Sequence, residues 1–290
     1  PTTRPRRAGK RRDARMSDDN DERGEKWPIK AYRNPRFLSS RAGRSVRLLA
    51  EFEEPKARFD RYDISDTIVF FGSARVSPKD LAEERLKAAR QHGGDVAAAE
   101  RALAMSRYYE EARQLSVRLT EWSKGLKDTT RRFVVCTGGG PGVMEAANRG
   151  ASEAKGLNVG LNISLPHEQA ANPHVTRELN FEFHYFFMRK FWFVYLAKAI
   201  VIFPGGFGTL DEFFEVLTLV QTRKLRKPMA VILYGKSYWS EILNLDAMVK
   251  YGTIDPADLE LFKSVDSVDE AFAYITGKME EVLPLPGASL

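Results

Sequence analysis

Between Phe203 and Glu215 the chain reads FPGGFGTLDEFFE, a run of closely spaced glycines followed within one helical turn by a carboxylate. Gly205, Gly206 and Gly208 let backbone N–H groups crowd together at a helix start, where unpaired donors and the helix dipole favour a phosphate. Phe207 and Thr209 complete this cradle, and Glu212 follows just inside the helix. A carboxylate and a phosphate would compete for the same positive helix end. The acid therefore makes chemical sense if it acts on something attached to the phosphate. Two readings of Glu212 stand side by side. Thr209-Leu210-Asp211-Glu212 has the spacing of a capping box, with Thr209 capping the helix and Glu212 reaching back to it. Alternatively Glu212 is a base, nucleophile or cation stabiliser, kept ionised by the helix end and therefore a poor general acid.

A second glycine turn, Gly138-Gly139-Gly140-Pro141-Gly142, follows the apolar run Phe133 to Thr137. Gly139 and Gly140 are candidates for close backbone approach to a ligand. Neither turn is a dinucleotide fingerprint, because a G-x-G-x-x-G frame fails at Val143 or Glu145, and neither is a P-loop, because no Gly-Lys-Ser/Thr follows. Upstream of the first turn, Phe183 to Phe193 reads FHYFFMRKFWF. The cations Arg189 and Lys190 either snorkel to the surface among these aromatics, or Arg189 faces a cleft and holds a phosphate, a ribose hydroxyl or a carboxylate. Ser73, at the end of an apolar run, either caps the next helix or touches ligand. The four histidines lack metal-ligand spacing, so neither a metal nor a cofactor is expected.

The elements that must position these residues follow from periodicity. Thr67 to Phe71, Phe133 to Thr137, Asn158 to Ile163, Glu178 to Phe183, Ala199 to Phe203 and Met229 to Tyr234 read as strands, with a further short one at Leu261 to Val265. The fully apolar Ala199 to Phe203 suits a parallel strand buried on both faces. Helical patterns separate the strands: Pro78 to Lys124, broken at Gly93-Gly94, then a helix through Ala154, one from Tyr185 to Leu196 and one running to Thr222. Val46, Leu49 and Phe52 recur at helical spacing until Pro55 stops the pattern. Alternating strands and helices predict an α/β, doubly wound, Rossmann-like parallel sheet in three layers and a single domain, residues 36–290. In such sheets ligands bind outside the carboxyl ends of the strands, at the switch point of strand order, where both glycine turns fall.

Charge is unevenly placed. Seven basic residues against one acid give the first fifteen positions a charge of +6, equal to the formal net charge of the whole chain. The high pI therefore describes a tail, residues 1–35, read as disordered, basic and then acidic, and no specific nucleic-acid partner is expected. Cys136, the single cysteine, lies in an apolar strand, so no intrachain disulfide forms and a reducing compartment is expected. No apolar segment follows the basic start as a secretory signal would require, and Phe191 to Phe203 is too short to span a bilayer. These features predict a cytoplasmic protein without a membrane partner.

Taken together, GGGPGVMEAA, MRK and PGGFGTLDE resemble the Lonely Guy family, cytokinin-activating phosphoribohydrolases often mislabelled as lysine decarboxylases. The PGGxGTxxE pattern is matched at Pro204, Gly205, Gly206, Gly208, Thr209 and Glu212, and the resemblance runs from about Ile64 to Val282. It implies cleavage of the N-glycosidic bond of a nucleoside 5′-monophosphate, of the AMP or cytokinin riboside type, to free base and ribose 5-phosphate. Arg189 and Glu212 would be the catalytic pair, with ligand contacts on Lys190, Gly205 to Thr209 and Thr218. A homodimer or higher homo-oligomer burying the aromatic helix around Arg189 is likewise implied. The long segment between the first two strands and the loop LPHEQAANPH, where Glu168 could contact ligand, resemble the longer bacterial branch, some of whose members act on purine or pyrimidine nucleotides in general. The alternative of a different class is a nucleotide sensor or carrier that does not cleave. A pyridoxal-dependent decarboxylase would need a lysine with a partner for the ring nitrogen, and no such set stands out.

Overall fold

The computed structural model describes residues 28–126, 130–164, 172–281 and 283. The basic stretch of the first fifteen residues and Glu168 lie outside these described residues. The chain divides into two compact units, residues 1–47 and 48–290. In the first, a 3₁₀ turn at Ala31–Arg33 precedes helix α1 (Pro35–Ser39), which Asn34 caps by accepting from Phe37 N at 3.2 Å. The turn falls where the sequence reading had placed the disordered tail.

The second unit is built on seven strands: β1 (Thr67–Phe71), β2 (Val134–Thr137), β3 (Asn158–Ile163), β4 (Asn180–Phe183), β5 (Ala197–Ile202), β6 (Ala230–Tyr234) and β7 (Lys263–Val265). All pair in parallel, in the order β4-β3-β2-β1-β5-β6-β7. The expected α/β fold with a covered parallel sheet is what forms. From β1 the chain winds outward through β2, β3 and β4, then returns to place β5 on the other side of β1. The switch point therefore lies between the carboxyl ends of β1 and β5.

Helices α3 (Lys79–His92) and α4 (Val96–Lys124) fill the excursion between β1 and β2, and Gly93 ends α3 in the left-handed conformation at φ 77°. The remaining helices are α5 (Val143–Glu153), α6 (Phe186–Tyr195), α7 (Phe207–Gln221), α8 (Lys236–Ile242), α9 (Leu245–Lys250) and α10 (Val268–Glu280). One face of the sheet packs Ile68, Phe70, Val135, Val201 and Ile232 against α4, α5 and α10. The other packs Val69, Cys136, Ile200, Ile202 and Leu233 under Trp192, Phe193, Phe213 and Trp239 of α6, α7 and α8. Residue alternation along the central strands feeds both cores, which is why β1, β2, β5 and β6 are predominantly apolar while the outer strands β3, β4 and β7 carry polar residues. Cys136 is fully buried, and burial pushes its thiol above the ordinary range, consistent with packing rather than reactivity.

The expected stop at Pro55 does not occur: helix α2 runs from Arg44 to Arg61 with Pro55 inside it. Proline cannot donate to the carbonyl four residues earlier, that of Glu51. The indole Nε1 of Trp192 donates to that carbonyl at 3.0 Å, so the vacancy left by proline is filled from α6. Pro55 is itself buried, and Phe52 and Phe59 of α2 place their rings 5.9 and 5.4 Å from that of Trp192.

Candidate functional site

The carboxyl ends of β1 and β5 are stitched by main chain: Ser73 N donates to Pro204 O at 2.9 Å, and Val143 N donates to Ser73 O at 3.1 Å. Gly142, at φ 74°, passes so close to Ser73 that any Cβ there would strike the Ser73 carbonyl. Over this seam opens a cleft of about 680 Å³. The turn Gly205-Gly206 forms one wall, and Gly205 abuts Thr209 so closely that a Cβ would collide with the Thr209 hydroxyl.

Helix α7 begins at Phe207 with Gly206 as its first cap and no side chain capping it. Thr209 N and Leu210 N both donate to Gly206 O, whereas among the described residues Phe207 N and Gly208 N have no backbone carbonyl partner. These two donors face the cleft region and suit an anion. The capping-box reading of Thr209 and Glu212 is thereby overturned. The helix starts three residues earlier than that pattern requires, so Glu212 stands in its second turn.

That position also corrects the expected ionisation. Glu212 is 4% exposed, and among the described residues its carboxylate makes no hydrogen bond or ion pair. The helix dipole acts within the first turn and is worth about 0.3–1 kcal/mol. Burial is the larger effect: it raises the Glu212 carboxyl from 4.5 to about 7, against the opposing pull of Lys190 and Arg189. The displacement corresponds to about 3 kcal/mol disfavouring the charged form. Glu212 is therefore half-protonated near neutrality, able to give a proton as well as to take one.

Arg189 projects from α6 into the same cleft, its guanidinium 4.8 Å from the ring centre of Phe186 and 5.5 Å from that of Phe193. Its Nε is buried and unpartnered. Burial pulls its pKa below the ordinary value while Glu212 and Asp211 oppose that shift, and a guanidinium keeps its charge regardless. Lys190, the neighbour in sequence, turns instead to α7, where Nζ meets Asp211 and Glu215 at 2.8 Å each. It lies outside the cleft lining.

Of the remaining candidates, Ser73, Gly205, Gly206, Phe207, Gly208 and Thr209 line the cleft. The Ser73 hydroxyl also accepts from Arg75 N at 3.1 Å, so it closes the turn after β1. Gly139 and Gly140 stand back from it, their main chain held in a buried polar network: Gly139 N donates to Thr137 Oγ1, and Asn172 donates from N to Gly139 O and from Nδ2 to Gly140 O. Only Gly138 of that turn reaches the cleft. Thr218 donates to Phe214 O within α7 and borders a separate small apolar pocket beside α9.

Several lining residues carried no motif. Tyr238 of α8 donates its hydroxyl to Gly205 O at 2.9 Å, bracing the glycine turn. Met105 from α4, Met144, Phe193, Leu210 and Ile242 give the cleft an apolar side, and Arg75 adds a cation near Ser73. Among the described residues no group of His, Cys, Asp or Glu could hold a metal ion, and no helix is long and apolar enough to cross a membrane.

Residues 144–275 match the family model described as "Possible lysine decarboxylase". A probable cytokinin riboside 5′-monophosphate phosphoribohydrolase of Oryza sativa subsp. japonica is 31% identical over 88 residues, 30% of this chain and 40% of that protein. A cytokinin riboside 5′-monophosphate phosphoribohydrolase of Arabidopsis thaliana is 33% identical over 88 residues, 30% of this chain and 39% of that protein. The resemblance to the Lonely Guy family holds. The chain spans about two fifths of the length of these curated relatives. Among solved structures, the molybdenum cofactor binding protein of Rippkaea orientalis is 18% identical with a TM-score of 0.45, covering 74% of this chain and 96% of that one. The matched family region contains Arg189, the turn at Gly205 and Glu212, whereas Ser73, Met105 and Gly138 precede it.

Proposed function

We infer that the chain hydrolyses the N-glycosidic bond of a nucleoside 5′-monophosphate, releasing the base and ribose 5-phosphate. The observation that carries this reading is Glu212: a buried carboxylate that has no hydrogen-bond or ion-pair partner among the described residues, lining the same cleft as Arg189 beside the N–H groups of Phe207 and Gly208, which have no backbone partner there. A carboxyl group so placed and so desolvated has no structural duty that explains it. In ribosyl transfer it has one, because positive charge develops on the sugar as the base leaves.

The 5′-phosphate is held at the start of α7, by Phe207 N and Gly208 N, in the turn braced by Tyr238. Phosphate binding supplies energy remote from the reacting bond and fixes the sugar against Glu212. Ionised Glu212 then stabilises the cationic sugar or takes a proton from the attacking water. Arg189 orients a ribose hydroxyl or the phosphate, and its charge favours the ionised state of Glu212 once substrate has expelled water. The base lies toward Met105, Phe193 and Ile242, whose apolar surfaces suit a flat heteroaromatic ring.

The reading is tested by incubating the protein with a panel of purine and pyrimidine nucleoside monophosphates, AMP and a cytokinin riboside monophosphate included, and separating free base by chromatography. Release of base at a rate that collapses in Glu212→Gln supports it. Tight binding of a nucleotide with no base released would replace it with a sensor or carrier.

A further inference from the structure

The geometry points to Glu51 as a positioning residue that sets where Arg189 enters the cleft. Glu51 lies on α2, outside the matched family region, and grips α6 at two places. Its carboxylate accepts from His184 N at 2.9 Å and from Tyr185 N at 3.2 Å, at the start of α6. Its carbonyl accepts from Trp192 Nε1 at 3.0 Å, nearly two turns farther along.

Arg189 sits between these two points and depends on both. Its own N–H donates to Tyr185 O at 3.2 Å, so the Arg189 backbone hangs from the same residue whose N–H Glu51 holds. No side chain caps α6 from within, since Tyr185 at its N-cap offers none, and the Glu51 carboxylate instead holds the N-cap N–H and the one before it, as the reciprocal arm of a capping box would, delivered from another helix. The Arg189 side chain has no hydrogen-bond partner among the described residues and is steadied only by the Phe186 and Phe193 rings. Its direction is thus inherited from the axial position and rotation of α6. Pro55 contributes by freeing the Glu51 carbonyl for Trp192: an ordinary residue there would donate to that carbonyl itself. Phe52, with its ring 5.6 Å from that of Phe191, fills the space between the helices.

The kinetic part of this inference rests on the proposed reaction, so the test has a substrate-free arm. In the full chain, Glu51→Ala and Glu51→Gln are compared with the parent and with Arg58→Ala, which loosens the contact of α2 with Glu178 O and Asn180 O without touching α6. Amide exchange across residues 184–192 and the rate at which an arginine-directed dicarbonyl modifies Arg189 are read by mass spectrometry. Both are expected to rise in Glu51→Ala, less in Glu51→Gln, whose amide oxygen still accepts one bond, and to stay at parent values in Arg58→Ala. With nucleotide, kcat is expected to fall about tenfold in Glu51→Ala, as for a displaced catalytic group, with KM changed far less. In an Arg189→Ala background the same change is expected to cost nothing more in kcat. Unchanged exchange and unchanged Arg189 modification in folded Glu51→Ala or Glu51→Gln would overturn the inference, as would an equal kcat loss with and without Arg189. If the parent releases no base, the proposed reaction fails while the protection of Arg189 still decides the positioning role.

Discussion

The sheet carries buried charge at both ends, and the two clusters are built to opposite rules. At the amino ends of β1, β2 and β5, Asp66 is paired with Arg132 and, at 3.6 Å, with Lys198, all three almost wholly buried. Nearby, Lys227 is lowered to about 7 by burial and by the charge of Lys198, and its Nζ donates to Val194 O and Tyr195 O at the end of α6 at 2.7 and 2.5 Å. At the carboxyl ends, Glu212 and Arg189 share a cleft with, among the described residues, neither ion pair nor hydrogen bond to hold their side chains. Charges that a fold keeps for its own sake are neutralised. Charges left unmatched at the open end of a parallel sheet are kept for something that is not part of the protein.

The comparison breaks most readily at the closed end. Asp66→Ala leaves the buried ammonium of Lys198 without its counter-charge and is expected to cost about 3–5 kcal/mol of stability in a urea melt, while folded molecules keep their rate of base release. At the open end the pattern inverts: Glu212→Gln is expected to fold normally and to release base at least ~10²-fold more slowly, about 2.7 kcal/mol in the barrier. Equal stability losses at the two ends would remove the distinction.

Stability sharpens the same contrast. A carboxyl raised from 4.5 to about 7 binds more protons in the folded than in the unfolded state between those values. Folding free energy from this group therefore declines as pH rises through that window, and the full penalty is present above it. Glu212→Gln is expected to gain up to about 3 kcal/mol at pH 8 and nothing at pH 4, measured by paired thermal melts, the attractions of Lys190 and Arg189 being already contained in the shifted value. If ionised Glu212 is the working form, kcat/KM rises about tenfold from pH 6 to pH 8 in the parent and loses this limb in the Gln variant. The smallest effect is expected at Thr218→Ala, which lies off the cleft: less than twofold in rate and within about 0.5 kcal/mol in stability.

How much of this could be read from sequence depended on whether the deciding interaction was local. Strand β5 was legible because burial on both faces leaves no alternation to misread, and the break between α3 and α4 was legible because Gly93 is the residue that left-handed helix ends prefer. The turn at Gly205 was legible for another reason: the chain passes so close to Thr209 there that only a residue without a Cβ fits. Pro55 misled because its penalty is relieved by Trp192, which no local rule connects to α2. The ionisation of Glu212 was misjudged because a helix end is visible in sequence and burial is not. Lys190 and Thr218 followed Arg189 and Glu212 into the site on family spacing, while the fold turned one to Asp211 and Glu215 and the other toward a different pocket. Tyr238 and Met105 arrive through topology and had no signal.

The seam beneath the cleft is main chain bonded to main chain, Ser73 N to Pro204 O. Substitutions on the cleft walls leave such a joint intact, because it uses no side chain. Met105 and Ile242 come from α4 and α8, outside that joint, and can be exchanged without breaking the main-chain bond between the two strand ends. A lineage carrying this fold can thus vary the walls of its cleft while Glu212 and Arg189 stand still, and diversification is built into the way the two halves of the sheet are joined.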